Sequence, residues 1–373
     1  MSQWIPMERL RDAVSSRRYS FLKNDHIAAG QISWTDKAKN FIAMRALRRF
    51  LLALTLILVF ANLFRARELF RGFISFDGTP PSRIPAGMDW SQYAYCQYVT
   101  NENYLCNSVM IFEALERVGV KASKMMMYPS DWNITADNHV GKLIRQAQEK
   151  YNVQLAPVHI QHLNGDATWA DSFTKLLAFN QTQFKRVLSL DSDATVLKSM
   201  DELFLIPSSP VAMPRAYWLE KELSSQLVLV EPSEFEFRRI LKAFTSRSSH
   251  DFDMEIVNKL YGFDCIVIPH RRYNLLSGEF REKDHRRYLG SEEETWDPDK
   301  VLDEAKFVHF SDWPLPKPWL PHETAQNEEI QPRCKDTSQG EDCRDRIVWL
   351  GLYADFARRR REICDTELVV QTP

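Results

Sequence analysis

Apolar residues fall along this chain in three successive patterns. Up to residue 45 they are scattered among polar and basic positions. From Phe50 to Phe64 they run together as FLLALTLILVFANLF, without a single charge. From Tyr93 onward they recur in short strand-like and helix-like stretches. With Ala46 and Leu47 the middle run approaches the lower limit for a membrane-spanning helix, about 17 residues. Arg45, Arg48 and Arg49 stand at its start, and Arg17, Arg18, Lys37 and Lys39 lie upstream. This arrangement predicts a basic cytosolic tail over 1–45 and a transmembrane signal anchor over 46–64, with the amino terminus in the cytosol. Residues 65–92, with Pro80-Pro81 and Pro85, read as a stem. A cleaved signal peptide fits poorly, because the run begins too far from Met1.

The domain over 93–373 shows strand–helix alternation. YAYCQYVT from Tyr93 is strand-like, and Tyr104 to Val118 carry apolar residues at helical spacing, at 105, 109, 112 and 115. Lys124–Tyr128 and Val153–Ile160 read as strands, and Asn138–Tyr151 and Ser172–Asn180 as helices. RVLSL, Arg186–Leu190, reads as a short buried strand. The alternation predicts an α/β domain with a parallel sheet and helices on both faces. In such sheets ligands bind beyond the carboxyl ends of the strands. The chain holds neither G-x-G-x-x-G nor a Walker loop, so neither dinucleotide nor ATP binding is supported.

Composition narrows the class. Of 373 residues, 44% are hydrophobic and 26% charged, and the net charge of -2 gives no basic field for nucleic acid. All of the cysteines, Cys96, Cys106, Cys265, Cys334, Cys343 and Cys364, follow the apolar run, so an anchored chain would present them to an oxidising lumen. Their pairing is open, with Cys334 and Cys343 the favoured local pair because they flank a polar loop. Asn133-Ile134-Thr135 and Asn180-Gln181-Thr182 match the glycosylation acceptor pattern. The arginine run in DFARRRREIC reads as the solvated face of a basic helix.

The sharpest chemical feature is RVLSLDSDATVL. Asp191 and Asp193 follow the buried strand, and residues two apart in extended backbone share a face. Two carboxylates converging there repel unless a cation lies between them, and their oxygens suit Mg²⁺ or Mn²⁺. Such an ion can stabilise a diphosphate leaving group. The same Asp-x-Asp spacing recurs at Asp251/Asp253 and Asp297/Asp299, but only the first pair follows a buried-type strand. In FVHFSDWPLPKPW, His309 closes an apolar run and Lys317 sits among prolines. An imidazole can complete a carboxylate metal site, and a lysine can meet phosphate. Thr100, Asn101 and Tyr104 lie where the first strand meets its helix. They suit either helix capping and packing or contact with a nucleotide base.

Together, Thr100-Asn101 with Tyr104, Lys175 in SFTKLLAF, DSDATV and His309 with Lys317-Pro318-Trp319 resemble, in order and spacing, glycosyltransferase family 8, the glycogenin-like enzymes. MPRAYW, DMEIVN, PHRRYNLLSGEFR and HFSDWPLPKPW resemble its fungal branch of Golgi N-acetylglucosaminyltransferases with a type II anchor. The resemblance covers roughly residues 93–320. It implies a GT-A, Rossmann-like nucleotide-sugar-binding domain with a mixed central sheet, preceded by a single transmembrane helix. It implies a UDP-sugar donor, UDP-GlcNAc in that branch, a glycan acceptor and retention of anomeric configuration. Asp191, Asp193 and His309 would ligate Mn²⁺ (or Mg²⁺). Thr100, Asn101 and Tyr104 would hold uracil, and Lys175, Ser192 and Lys317 would meet the rest of the donor. Asp253 matches a segment near the reacting centre, where Met254 replaces the usual glutamine. Ser224-Ser225-Gln226 replaces Asn-Ser-Gly, and Asp312 replaces a loop glycine. These departures leave a non-catalytic sugar-binding relative of the same fold as the alternative.

Overall fold

The computed structural model describes residues 87–159, 173–219, 221–248, 251–312, 315, 317–319, 330–338 and 340–365. The anchor, the tail and most of the stem predicted from the apolar run lie outside these residues. Among the described residues no helix is long and apolar enough to cross a membrane.

The first half of the domain follows from its pattern. Strand β1 (Tyr93–Tyr98) leads into helix α1 (Glu102–Arg117). The Asn101 side chain accepts from the amides of Asn103 and Tyr104, Glu102 lies in the first turn and Arg117 in the last. Each suits its end of the helix dipole. Gly119, at φ 69°, follows the helix end. Strand β2 (Ser123–Pro129), helix α2 (His139–Tyr151), strand β3 (Val153–Val158) and strand β4 (Arg186–Leu190) complete this half. Strands β1 to β4 are mutually parallel where they pair, in the order β3-β2-β1-β4.

Beyond β4 the sheet becomes mixed. Strands β6 (Val211–Pro214), β7 (Leu227–Val230) and β8 (Ile266–Ile268) extend it to seven in the order β3-β2-β1-β4-β7-β6-β8. Strand β7 runs antiparallel to both neighbours. The purely parallel sheet expected from alternation therefore holds only for β1–β4, and the mixed sheet is the one found. A second sheet joins β5 (Ala194–Val196), β9 (Leu275–Leu276) and β10 (Phe307–His309).

Alternate residues of β1 feed opposite cores. Tyr95 packs with Leu105, Phe112, Leu143 and Trp349 on one face, while Ala94 and Cys96 pack with Ala178 and Phe184 on the other. Helices α3 (Glu234–Thr245) and α4 (Asp253–Tyr261) add a further cluster around Phe244 and Tyr261. Each fully buried Leu, Ile or Phe contributes about 1.5–3 kcal/mol, so residues at the sheet's carboxyl edge are held by a rigid scaffold.

Helix α5 (Arg344–Cys364) corrects half of the reading of the arginine run: Arg358 and Arg361 are exposed, but the two between them are not. Arg359 and Arg360 are only 4% exposed. Arg359 donates to Met110 O and pairs with Glu113, and Arg360 donates to Asn107 Oδ1 and Asn103 Oδ1. The partners lie on or beside α1, where local spacing cannot reveal them. A Cys106–Cys364 disulfide ties the same helices, and Cys334–Cys343 forms the local bridge expected. Cys96 and Cys265 are free.

Candidate active site

Strand pairing assembles the site. Strand β4 ends at Leu190, whose carbonyl accepts from the Gln97 side chain, itself held by Ser108. The Asp191 amide donates to Gln226 O, continuing the β4–β7 ladder one residue further. The chain then turns into β5, which pairs antiparallel with β10 in the register Ala194↔His309. Phe310 N donates to Asp193 O. The second acid and the histidine are thus neighbours across one ladder, although far apart in sequence.

His309 Nε2 lies 3.0 Å from Asp193 Oδ1 and 3.8 Å from Asp191 Oδ2. One ligand atom from each of these residues lies within 4.8 Å of the others. Two carboxylate oxygens and one imidazole nitrogen, brought together by rigid strands, fit a divalent cation. His309 Nδ1 is buried and meets no hydrogen-bond partner among the described residues. The other candidate cluster, Cys334, Glu341 and Cys343, has both sulfurs committed to a disulfide.

Lysines flank the acids. Lys175, buried in the 173–180 helical segment, places Nζ 2.6 Å from Asp191 Oδ1 and 3.1 Å from Asp253 Oδ2. Lys317 Nζ lies 2.6 Å from Asp193 Oδ2 and donates to Phe310 O. Asp253, at the first turn of α4, also accepts from Ser225 Oγ at 2.7 Å. Burial raises the Asp191 carboxyl, Lys175 pulls it down and Asp193 pushes it up, and the net shift is upward. Burial acts on Asp193 in the same sense, but His309 and Lys317 outweigh it and hold the group well below the usual carboxylate range. Burial opposes the charge of Lys175, yet Asp191 and Asp253 prevail and raise it above its ordinary value.

The remaining predicted residues rim this cluster or stand apart from it. Ser192 is buried between the two acids in sequence. Thr100 Oγ1 is buried and meets no partner among the described residues. Asn101 spends its side chain capping α1. Tyr104 packs edge-on against Trp319, ring centroids 5.6 Å apart. Met254 is half-buried on α4 and its carbonyl accepts from Asn258. Of the other Asp-x-Asp pairs, Asp297 caps the helix Pro298–Glu304 and Asp251 pairs with Lys259, so only Asp253 joins the site.

One participant escaped the reading of the sequence, and one residue noted there takes a supporting role. Tyr98, the last residue of β1, donates its hydroxyl to Asp191 Oδ1 at 3.1 Å. Strand parity places it on the Lys175 side of the sheet, a signal the alternation in YAYCQY already carried. Asp312 is buried and accepts from Ser277 Oγ, Trp349 Nε1 and Tyr353 Oη. In place of a loop glycine it pins the segment after His309 to α5.

The site thus sets an acidic pair and a histidine at the carboxyl edge of the central strand of a mixed seven-stranded sheet. No protein-family model matches the chain. It is 47% identical over 308 residues to glucose N-acetyltransferase 1 of Aspergillus fumigatus, covering 76% of this chain and 80% of that one. It is 53% identical over 290 residues to glucose N-acetyltransferase 1 of Gibberella zeae, covering 75% of this chain and 64% of that one. The chain belongs to the glucose N-acetyltransferase 1 family. Among solved structures, the WbbM bifunctional glycosyltransferase superposes with a TM-score of 0.48 at 13% identity, covering 76% of this chain and 53% of that one.

Proposed function

We propose that the chain transfers N-acetylglucosamine from UDP-GlcNAc to a glycan acceptor, with Mn²⁺ held by Asp191, Asp193 and His309. The observation that carries this reading is the convergence of those three side chains at the end of β4. The relatives' name, joining glucose to an N-acetyl group on a sugar-transferring fold, supports the donor.

In this reading the ion, when bound, neutralises charge on the departing diphosphate. The protein's own groups do the rest. Thr100, with an unspent buried hydroxyl, and Tyr104 border the uracil side. Asn101 contributes there mainly by fixing the end of β1 relative to α1, since its oxygen is committed to the cap. Lys317 adds positive charge beside the diphosphate and Lys175 beside the reacting centre. An acceptor hydroxyl attacks the anomeric carbon on the face of the leaving phosphate. A phosphate oxygen takes its proton, and configuration is retained. Asp253, fixed by Lys175 and Ser225, orients groups at that centre. The Met254 side chain carries no charge and is assigned no proton.

We place the domain in the Golgi lumen, anchored by residues 46–64 as a single-pass type II protein. The position of the apolar run and the cysteines after it support this topology. Cys106–Cys364 and Cys334–Cys343 bridges agree with an oxidising compartment.

The test is a panel of UDP-sugars with the detergent-solubilised chain and Mn²⁺, reading UDP release and then the linkage formed. UDP-GlcNAc should turn over fastest, and Asp191→Ala with Asp193→Ala should abolish turnover. Turnover that survives the double substitution contradicts the reading. Binding of UDP-GlcNAc without any turnover would instead favour the non-catalytic alternative.

A further inference from the structure

Tyr98 stands outside every role assigned so far, yet its hydroxyl reaches the first acid of the site. Asp191 Oδ1 accepts from Tyr98 Oη at 3.1 Å and from Lys175 Nζ at 2.6 Å. Asp191 Oδ2, by contrast, faces His309 Nε2 at 3.8 Å, and Asp193 Oδ1 faces the same nitrogen at 3.0 Å. The two oxygens of Asp191 therefore have different tasks. One is occupied by donors rising from the sheet and from the 173–180 segment. The other is turned toward the cluster.

We propose that Tyr98 is a positioning residue that locks the Asp191 carboxylate so that only Oδ2 is offered to the divalent cation. The inference rests on the reading of Asp191, Asp193 and His309 as a metal site, and adds the group that aims one of its ligands.

The supports are geometric. Tyr98 ends β1, which pairs directly with β4, the strand that delivers Asp191. Its ring packs against the cluster that includes Ala178 and Met127, so its hydroxyl is carried on a fixed stem. An ordinary phenol, with a value near 10, is protonated at neutral pH and so can donate there. Lys175 alone would leave the carboxylate poorly fixed, because its ammonium is shared with Asp253. A second donor on the same oxygen removes rotation about the carboxyl axis. Outer groups that orient metal ligands typically affect metal affinity by about ten- to a hundredfold when removed.

The experiment uses the full chain in detergent and Mn²⁺ alone as the probe, with affinity read by calorimetry. Wild type, Tyr98→Phe and Tyr98→Leu are compared, with thermal midpoints measured on each. Tyr98→Phe keeps the ring and loses the hydroxyl. It should weaken Mn²⁺ binding by about tenfold or more while the thermal midpoint stays near wild type. It should raise the Mn²⁺ concentration for half-maximal UDP release in step with the loss of affinity. Tyr98→Leu should match Tyr98→Phe in metal affinity and add only a loss of stability. If Tyr98→Phe binds Mn²⁺ as wild type does, or if the defect appears only in Tyr98→Leu, the ring merely packs and the proposal is overturned. If the wild-type chain itself binds no Mn²⁺, the metal reading and this inference fall together.

Discussion

The imidazole Nε2 of His309 lies 3.0 Å from Asp193 Oδ1, held there by the pairing of β10 with β5. No other histidine among the described residues joins an acidic pair in this way. His309→Ala should therefore weaken Mn²⁺ binding by more than the about ten- to hundredfold typical of groups behind a ligand. The fold should survive, because backbone pairing positions the residue. Calorimetry with a parallel circular dichroism melt checks both halves.

Lys175 is buried between Asp191 and Asp253. Its removal leaves two carboxylates facing each other without their shared counter-charge. Lys175→Met should cost about 3–5 kcal/mol in urea unfolding, the range for breaking a buried ion pair from one side. Saturating Mn²⁺ should restore part of that loss by binding the native state. A loss unaffected by Mn²⁺ would separate Lys175 from the metal site.

The two disulfides differ in span. Cys106 and Cys364 are 258 residues apart in sequence, Cys334 and Cys343 only 9. Chain entropy assigns about 5 kcal/mol to the long loop and about 2–3 kcal/mol to the short one. Paired serine substitutions at Cys106 and Cys364 should lower the thermal midpoint more than those at Cys334 and Cys343. Peptide mapping without reduction should leave Cys96 and Cys265 unpaired.

His270 titrates against the fold. Burial holds its imidazole below the ordinary value of 6.5, and Arg271 acts in the same direction. The folded state thus prefers the neutral ring. That preference contributes stability in full above pH 6.5, and the contribution is lost as pH falls below it toward the depressed folded value. Thermal midpoints of wild type and His270→Gln across this window should show the wild type falling more steeply on acidification. Parallel slopes would contradict the assignment.

Much of this fold was legible because its first half is locally regular. The apolar spacing in Tyr104–Val118 and the compact RVLSL run mark elements that tertiary packing only confirmed. The acidic pair was legible because a buried strand stops directly before it. The rest depends on long-range pairing. Nothing in the spacing brings His309 to Asp193; that adjacency comes from β5 meeting β10, and only the family resemblance anticipated it. Arg359 and Arg360 look solvated in sequence because their partners, Glu113, Asn103 and Asn107, belong to another part of the chain. Tyr98 was hidden differently: strand alternation tells which face of the sheet it takes, but not which carboxylate its hydroxyl reaches.

The most direct test of the account is Mn²⁺ titration of the wild-type chain and of Asp191→Asn with Asp193→Asn, each with and without UDP. Wild type should bind one equivalent, more tightly when UDP is present, and the double substitution should abolish the signal in both conditions. Equal Mn²⁺ binding by the two proteins would show that the acids at the end of β4 do not hold the metal.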